Sequence, residues 1–212
     1  VHDESLAEVY DFGFDEEPNC YFLAQEYFPG QPLYHWTGRL GFEKLAGLTA
    51  HLCRTLQLLH RHDIFHGDLT PSNILMHGDR IKLVDFGLAQ SGLAQKFDQP
   101  QKTVSGTLPY MAPELFLGGA VDARADLYAL GATLYELVSG HPPFMAPTLS
   151  GLIEQHLFET PAMPVSTDFP IPKEFGYLIL RLLNKDPDDR FAEANDVIRY
   201  LNIHFHVNFP LG

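Results

Sequence analysis

Short runs of apolar residues near the beginning of the chain predict strands rather than helices. Residues 6–10 and 21–28 are rich in β-branched and aromatic side chains, which are enriched in strands. A polar segment at 15–19, with one proline and one asparagine, separates the two runs. We therefore expect a β-hairpin here, followed by a boundary between two structural units at 29–32, where the sequence reads Pro-Gly-Gln-Pro.

From residue 42 onward the pattern changes to the period of an α-helix. Leucines at spacings of three and four mark one face of a predicted helix over 42–60. Two apolar runs at 73–76 and 81–84 flank a turn that contains glycine, which predicts a second hairpin. Periodicity is weak over 87–108, where we expect a long loop. Further helices are predicted over 126–139, 149–158, 174–183 and 192–202.

Net charge narrows the classes of partner. The 212 residues include 27 Asp and Glu against 14 Lys and Arg, which gives a formal net charge of -13. Binding to the phosphates of a nucleic acid requires clustered cations. We therefore expect no nucleic-acid partner.

Cysteine content and apolar run length indicate the cellular setting. Cys20 and Cys53 are the two cysteines of the chain, too few for a disulfide framework, so we expect a reducing compartment and a cytoplasmic protein. The apolar stretch 127–134 is far shorter than the roughly 20 residues that span a bilayer, and we expect no membrane segment. The chain begins Val-His-Asp-Glu without an initiator Met, so we expect it to belong to a longer polypeptide with further domains.

One group of polar residues suits a hard metal ion. The segment 66–73 reads His-Gly-Asp-Leu-Thr-Pro-Ser-Asn and places Asp68 five residues before Asn73. The second predicted hairpin then delivers Asp85, which begins Asp-Phe-Gly. Two carboxylates and an amide oxygen at one end of a hairpin suit Mg²⁺ that keeps phosphate oxygens as its other ligands.

The tripeptide His-Gly-Asp occurs twice, which provides an internal control. The copy at 77–79 lies in the turn of the second predicted hairpin, where Gly and Asp are expected for backbone reasons. The copy at 66–68 is followed by Asn73 and Asp85, so we assign chemistry to that copy. The 11 histidines of the chain show no spacing that supplies a full set of zinc ligands.

Several motifs, in this order and spacing, resemble those of the eukaryotic-type (Hanks-type) protein serine/threonine kinases. They are the loop 66–73, Asp-Phe-Gly at 85–87, Gly-Thr-Leu-Pro-Tyr-Met-Ala-Pro-Glu at 106–114, Asp-Leu-Tyr-Ala-Leu-Gly at 126–131, and Arg190. The resemblance covers nearly all of the chain and implies an α+β protein-kinase-like fold, with a mainly α-helical large lobe and a remnant of the β-rich small lobe. Gly67 and the closing segment 191–202 look more like bacterial members than animal ones.

The resemblance also implies a division of the chain. Residues 1–32 would be the last strands of the small lobe with the hinge, 33–205 the large lobe, and 206–212 the start of a C-terminal linker. No Gly-x-Gly-x-x-Gly loop and no Val-Ala-x-Lys strand occurs in the sequence. We expect truncation of the small lobe rather than its evolutionary loss, and an incomplete nucleotide clamp in this chain.

Site roles carry over residue by residue from the resemblance. It makes Asp68 the carboxylate that orients the substrate hydroxyl and accepts its proton, and it makes Asn73 and Asp85 the ligands of Mg²⁺. Leu75 would lie beneath the adenine ring of ATP. Thr107 matches the threonine that bonds near the catalytic Asp in serine/threonine kinases, which favours Ser and Thr as acceptors.

The hinge and two structural contacts follow in the same way. Backbone groups of Glu26 and Phe28 would bind adenine, and Gln25 would be the gatekeeper. The resemblance further implies an ion pair between Glu114 and Arg190. Asp126 would anchor the backbone of the catalytic loop.

Two residues depart from the family pattern. Gly67 stands where many kinases have the arginine that receives an activation-loop phosphate, so phosphate on Thr103 or Ser105 should not order the loop through that arginine. Thr70 stands where serine/threonine kinases carry a lysine that contacts the transferred phosphate. A hydroxyl there still donates one hydrogen bond.

The expected function is therefore a protein kinase that transfers the γ-phosphoryl group of MgATP to Ser and Thr hydroxyls of protein substrates in signalling. A pseudokinase or regulatory scaffold is the alternative, because of Gly67, Thr70 and the missing clamp. Small-molecule kinases of the aminoglycoside or choline type also carry His-Gly-Asp. They lack the Gly-Thr and Ala-Pro-Glu segment found here at 106–114.

Overall fold

The computed structural model describes residues 3–17, 19–85, 107–166 and 168–212. The predicted loop at 87–108 lies outside the described residues except for its last two positions, as do Phe86, Thr103 and Ser105. In the part described, no helix is both long and apolar enough to cross a membrane.

Five strands and six helices are described. The strands are β1 (Val9–Asp15), β2 (Cys20–Gln25), β3 (Gln31–Pro32), β4 (Ile74–His77) and β5 (Arg80–Leu83). The helices are α1 (Phe42–His60), α2 (Pro113–Phe116), α3 (Ala123–Ser139), α4 (Leu149–Phe158), α5 (Lys173–Leu182) and α6 (Ala194–Phe205). Short 3₁₀ turns occupy Leu33–Trp36, Leu108–Tyr110 and Pro187–Asp189.

The strands form two small antiparallel sheets, β1-β2 and β3-β4-β5. The first predicted strand, at 6–10, was placed too early, because β1 starts at Val9. The preceding backbone instead joins β5: the amide of Ala7 donates to Leu83 O at 3.0 Å, and the amide of Leu83 donates to Ser5 O at 2.8 Å. This contact fastens the β1-β2 hairpin to the second sheet.

Helix α1 confirms the leucine pattern over 42–60. Its apolar stripe is fully buried against α6 and α3, since Leu45, Leu52, Leu56 and Leu59 have no exposed surface. The helix ends at His60, directly before the loop that carries Asp68. Packing of α1 therefore fixes where that loop begins.

Helix α3 is the central helix and is buried around almost its whole circumference, as expected for a helix surrounded by others. It begins three residues earlier than predicted because the Asp122 side chain caps it, accepting from the amides of Arg124 at 2.8 Å and Ala125 at 3.0 Å. The early start places Asp126 in the first turn, where the positive end of the helix dipole favours a carboxylate.

The other predicted helices are also present. Helix α4 has the predicted bounds, and α5 lies one residue earlier than 174–183. Helix α6 starts two residues later than predicted, because Glu193 and Asp196 form a capping box. The start of α6 is therefore set by capping side chains rather than by the apolar pattern.

A buried histidine lies between α3 and α4. A hydrogen bond of 2.9 Å joins His156 Nδ1 to the hydroxyl of Tyr128, and the rings of Phe116 and Phe144 lie with centroids 5.4 and 5.0 Å from the imidazole. His156 has no exposed surface. Burial, together with the nearby charge of Lys185, lowers the pKa of His156 to about 3.

This lowered pKa predicts a loss of stability in mild acid. The folded state keeps His156 neutral while the unfolded chain protonates it near pH 6.5, so the free energy of unfolding should fall as the pH drops from about 6.5 toward about 3. The slope from this group is about 1.4 kcal/mol per pH unit. Urea unfolding at pH 7, 6 and 5 measures it, and His156→Gln should flatten the profile. His35→Gln, at an exposed histidine, is the matched control, and equal slopes in all three proteins would refute the assignment.

Candidate active site

The loop after α1 is held by one buried carboxylate. Asp126 Oδ2 accepts from the amide of His66 at 2.9 Å, and Oδ1 accepts from the amide of Gly67 at 2.8 Å. Gly67 has a positive φ of 69°, a conformation that glycine adopts without a steric penalty. The expected anchoring contact of Asp126 is therefore present, and it fixes the backbone directly before Asp68.

His60 is a third partner of that carboxylate, a contact that the sequence reasoning did not predict. Its Nε2 lies 2.8 Å from Asp126 Oδ2, and both side chains are nearly unexposed. The only available signal was its place at the end of α1, where a histidine is compatible with the helix dipole. The contact joins the end of α1 to the first turn of α3.

Asp68 and Asn73 are bonded to each other across the loop. The Asn73 amide nitrogen donates to Asp68 O at 2.8 Å and to Asp68 Oδ2 at 3.1 Å. Asp68 Oδ1 is buried and has no hydrogen-bond partner among the described residues. Since the amide donors of Asn73 point to Asp68, its oxygen is the atom left to act as a ligand.

The imidazole of His66 supports the same loop from inside. The amide of Asp68 donates to His66 Nδ1 at 3.3 Å, which requires a neutral ring at that nitrogen. Burial lowers the pKa of His66. The ring is therefore a neutral acceptor that helps to set the orientation of Asp68.

The β4-β5 hairpin brings Asp85 beside Asn73. The amide of Val84 donates to Asn73 O at 3.0 Å, so the residue after Val84 leaves the sheet next to Asn73. Asp85 has a φ of 59°, which is uncommon for a residue with a side chain. Strained backbone of this kind is concentrated at functional sites.

Thr107 and Asp68 face a common space, whereas Thr70 is packed inside the loop. A small cavity is lined by Asp68, Thr107, Asp126 and neighbouring apolar residues. Thr70 is only 4% exposed, and its carbonyl accepts the amide of Asn73 at 3.0 Å. Thr70 therefore forms a tight turn inside the loop, whereas Asp68 borders the small cavity.

The predicted hinge follows β2 and is bonded to both sheets. Gln25 ends β2, and the amide of Glu26 donates to Glu8 O at 2.7 Å. The Glu26 carboxylate forms an ion pair of 2.5 Å with Lys82 Nζ, which also donates to Leu6 O at 3.1 Å. The hydrogen bond from Lys82 lowers the pKa of Glu26.

Lys82 is a second residue that the sequence reasoning missed. It lies on β5, is nearly buried, and reaches the hinge and the segment before β1 at once. Phe28 packs its ring against the β4-β5 turn, 5.5 Å from the Arg80 guanidinium. Leu75 lies on β4 directly opposite Lys82 in the register. The hinge residues and Leu75 are therefore held by the same hairpin that positions Asp85.

The donor set fits Mg²⁺ better than zinc. In the described ranges, no group of three His, Cys, Asp or Glu side chains lies close enough to hold a metal ion. Asn73 and Asp85 offer one amide and one carboxylate oxygen, which suit a hard cation that takes its remaining ligands from phosphate and water.

A sequence-family model described as "Protein kinase domain" matches residues 4–200 of the chain. The chain belongs to the protein kinase domain family. It is 33% identical over 201 residues to serine/threonine-protein kinase PknB of Mycolicibacterium smegmatis, covering 91% of this chain and 32% of that kinase. It is 34% identical over 195 residues to Pkn1 of Myxococcus xanthus, covering 89% and 28%. The crystal structure of Rad53 1-466 in complex with AMP-PNP matches with a TM-score of 0.76 at 25% identity, covering 98% of this chain and 52% of that one.

These matches confirm the α+β protein-kinase-like fold and the similarity to bacterial members of the family. The kinase chain described here spans about a third of the length of PknB and Pkn1.

An ion pair between Glu114 and Arg190 joins α2 to the residue that follows the 3₁₀ turn at Pro187–Asp189, as expected from the resemblance. Arg190 binds Glu114 through two bonds of 2.8 and 2.7 Å, the bidentate geometry that carboxylates favour. Its other donors reach the carbonyls of Asn184, Arg124 and Lys185 at 2.8, 2.9 and 3.1 Å. The Arg190 side chain has no exposed surface.

Glu114→Ala should therefore destabilise the domain by about 3 kcal/mol, because it leaves a buried guanidinium without its counter-ion. Asp188→Ala is the matched control. It removes a carboxylate that pairs with Arg124 but is itself 84% exposed, and its cost should stay below about 1 kcal/mol. Urea unfolding of the two variants measures the difference. Equal losses would show that burial of Arg190 does not set the strength of the pair.

Proposed function

We propose that this chain carries the phosphoryl-transfer site of a serine/threonine protein kinase, which moves the γ-phosphoryl group of MgATP to Ser and Thr hydroxyls of protein substrates in signalling. The observation that carries the proposal is the arrangement of Asp68, Asn73 and Asp85. Asn73 bonds directly to Asp68, and the amide of Val84 bonds to Asn73 O, so the backbone leaves the β4-β5 hairpin next to Asn73 and leads to Asp85. This backbone arrangement supports a site in which the three oxygen-bearing side chains act together.

Asp68 would orient the substrate hydroxyl and accept its proton. Asn73 bonds to Asp68 Oδ2, and Asp68 Oδ1 has no partner in the part of the chain that the structure describes, so Oδ1 would be the acceptor for the substrate hydroxyl. Phosphoryl transfer depends mainly on positioning and charge neutralisation. Asn73 and Asp85 would hold Mg²⁺, which neutralises charge on the phosphates when bound with ATP.

The hinge would receive the adenine of ATP. Glu26 and Phe28 would offer backbone groups, with Gln25 as gatekeeper and Leu75 beneath the ring. The ion pair with Lys82 holds the Glu26 side chain against the β4-β5 hairpin. This contact would restrict the conformations of the hinge backbone. The matched Rad53 structure contains AMP-PNP, which supports a nucleotide as ligand.

Thr107 supports the choice of Ser and Thr as acceptors. It lines the same small cavity as Asp68, where a hydroxyl can help to place the acceptor group. The two similar proteins, PknB and Pkn1, are both named serine/threonine-protein kinases. Thr70 would donate a single hydrogen bond near the phosphate, in place of a lysine charge.

We further propose that residues 1–32 are the last strands and hinge of a small lobe, 33–205 the large lobe, and 206–212 the start of a linker to further domains. Aromatic side chains on both strands of the β1-β2 hairpin, such as Phe12 and Tyr21, are largely exposed, which is consistent with further small-lobe elements covering them. Cys20 is a free, exposed thiol, which suits a reducing, cytoplasmic setting.

A regulatory scaffold is the second candidate function. Gly67 offers no cation to an activation-loop phosphate, and the residue at the phosphate-contacting position is the buried Thr70. Both residues would lower the rate of phosphoryl transfer without disturbing the fold. Measurement of nucleotide binding beside phosphoryl transfer separates the two candidates.

The decisive experiment measures MgATP binding and transfer to a generic basic protein, for this chain and for the longest natural polypeptide that contains it. Asp68→Asn should lower the transfer rate by at least about a hundredfold while nucleotide binding persists, because it removes the proton acceptor. Asp85→Asn should weaken Mg²⁺-dependent binding of the nucleotide.

Asp79→Asn is the matched control, since Asp79 belongs to the second His-Gly-Asp tripeptide and is exposed in the β4-β5 turn. It should leave transfer unchanged. Full activity in both Asp68→Asn and Asp85→Asn would overturn the assigned roles. Nucleotide binding without transfer by the longer polypeptide would favour the scaffold.

A further inference from the structure

The end of the chain folds back along the last helix. Helix α6 ends at Phe205, and His206 adopts a left-handed conformation with φ 52° and ψ 34°. A left-handed residue at this position reverses the chain direction after a helix. Residues 207, 209 and 212 are then part-buried, whereas residues 208, 210 and 211 are exposed, so the segment lies with one side against the protein.

Two asparagines of α6 bind the backbone of this segment. The amide of Phe209 donates to Asn202 Oδ1 at 2.8 Å, and Asn202 Nδ2 donates to Phe209 O at 2.9 Å. The amide of Gly212 donates to Asn195 Oδ1 at 2.9 Å, and Asn195 Nδ2 donates to Gly212 O at 3.3 Å. Each carboxamide therefore pairs with both backbone groups of one residue, as a neighbouring strand would.

The spacing of the two asparagines matches an extended peptide. Seven residues of α-helix advance about 10.5 Å and return to nearly the same face. A segment with the three-residue repeat of polyproline II rises about 3.1 Å per residue, so Phe209 and Gly212 would present their backbone groups to the same side about 9 Å apart. This match would allow both carboxamides to bind one extended segment that runs antiparallel to α6.

Contacts with α1 inside the domain also hold one of these asparagines in place. Asn195 is only 4% exposed, and its backbone amide donates to Gln57 Oε1 of α1 at 3.1 Å. The nitrogen of that Gln57 side chain donates to Glu193 at 3.4 Å. A buried glutamine of α1 therefore fixes the start of α6, where the deeper asparagine lies.

Side-chain selectivity comes from two positions of the bound segment. A Cβ on Gly212 would lie 2.9 Å from both the Cα and the carbonyl oxygen of Arg54, and backbone atoms of a buried helix cannot move aside at low cost. Phe209 packs against the edge of the core. Asn208 and Leu211 are exposed, so the site places no demand on them.

We propose that the groove between α1 and α6 is a peptide-binding site for an extended Phe-x-x-Gly segment, and that its ligand is the 207–212 segment of this chain. The tail is a reversible latch rather than a fixed part of the core. Its contacts are main-chain hydrogen bonds to two carboxamides plus one partly buried aromatic ring, and they bury no large apolar surface of the segment. This inference does not depend on kinase activity.

The test uses this chain of 212 residues with Gly212→Ala. Hydrogen exchange should show that the amides at 209 and 212, protected in the wild type, become at least tenfold less protected. A synthetic peptide Val-Asn-Phe-Pro-Leu-Gly should then bind this variant at least tenfold more tightly than it binds the wild type, whose own tail competes at an effective concentration in the millimolar range. A peptide ending in Ala should bind at least tenfold more weakly.

Two further variants separate recognition from general damage. Asn195→Leu should abolish peptide binding in the Gly212→Ala background, whereas Asn208→Ala, at an exposed asparagine of the tail, should keep wild-type protection. Wild-type protection in Gly212→Ala, equal affinity for the two peptides, or no binding by a variant whose tail is released would each overturn the proposal.

Discussion

The organisation of the site depends on the carboxylate of Asp126. It is buried in the first turn of α3, the helix that is buried around almost its whole circumference, and an isolated charge there would be costly. The structure stabilises it with three donors: the amides of His66 and Gly67 and the ring of His60. Because the first two belong to the loop that carries Asp68, satisfying one buried charge also positions the loop.

Hydrogen bonds of the anchored loop in turn position the other parts of the site. Asn73 bonds to Asp68, and its carbonyl accepts the amide of Val84, which sets the exit of the β4-β5 hairpin toward Asp85. The same hairpin carries Lys82, whose buried ammonium holds Glu26 of the hinge. One small sheet therefore connects the proposed metal-binding residues with the proposed nucleotide-binding residues.

Much of this arrangement was predictable because its parts are close in sequence. Asp68, Asn73 and Asp85 lie within one loop and one hairpin, so spacing and motif order indicated them together. Helix α1 follows its leucine stripe with the predicted bounds, since burial of a continuous apolar face decides it. The first strand was placed too early because the bonds of Ser5 and Ala7 to Leu83 are a tertiary contact that no local pattern announces.

The sequence by itself determined the longer helices, the second hairpin, the family and the residues expected to do chemistry, because these follow from local periodicity and from motifs within short segments. Only the tertiary structure decided which distant polar groups meet: His60 with Asp126, Lys82 with Glu26, and Asn195 with Gly212. Each of these groups is polar and lies at or near the core. Their partners are fixed by how helices and sheets pack, since a buried polar group must find a hydrogen bond wherever packing places it.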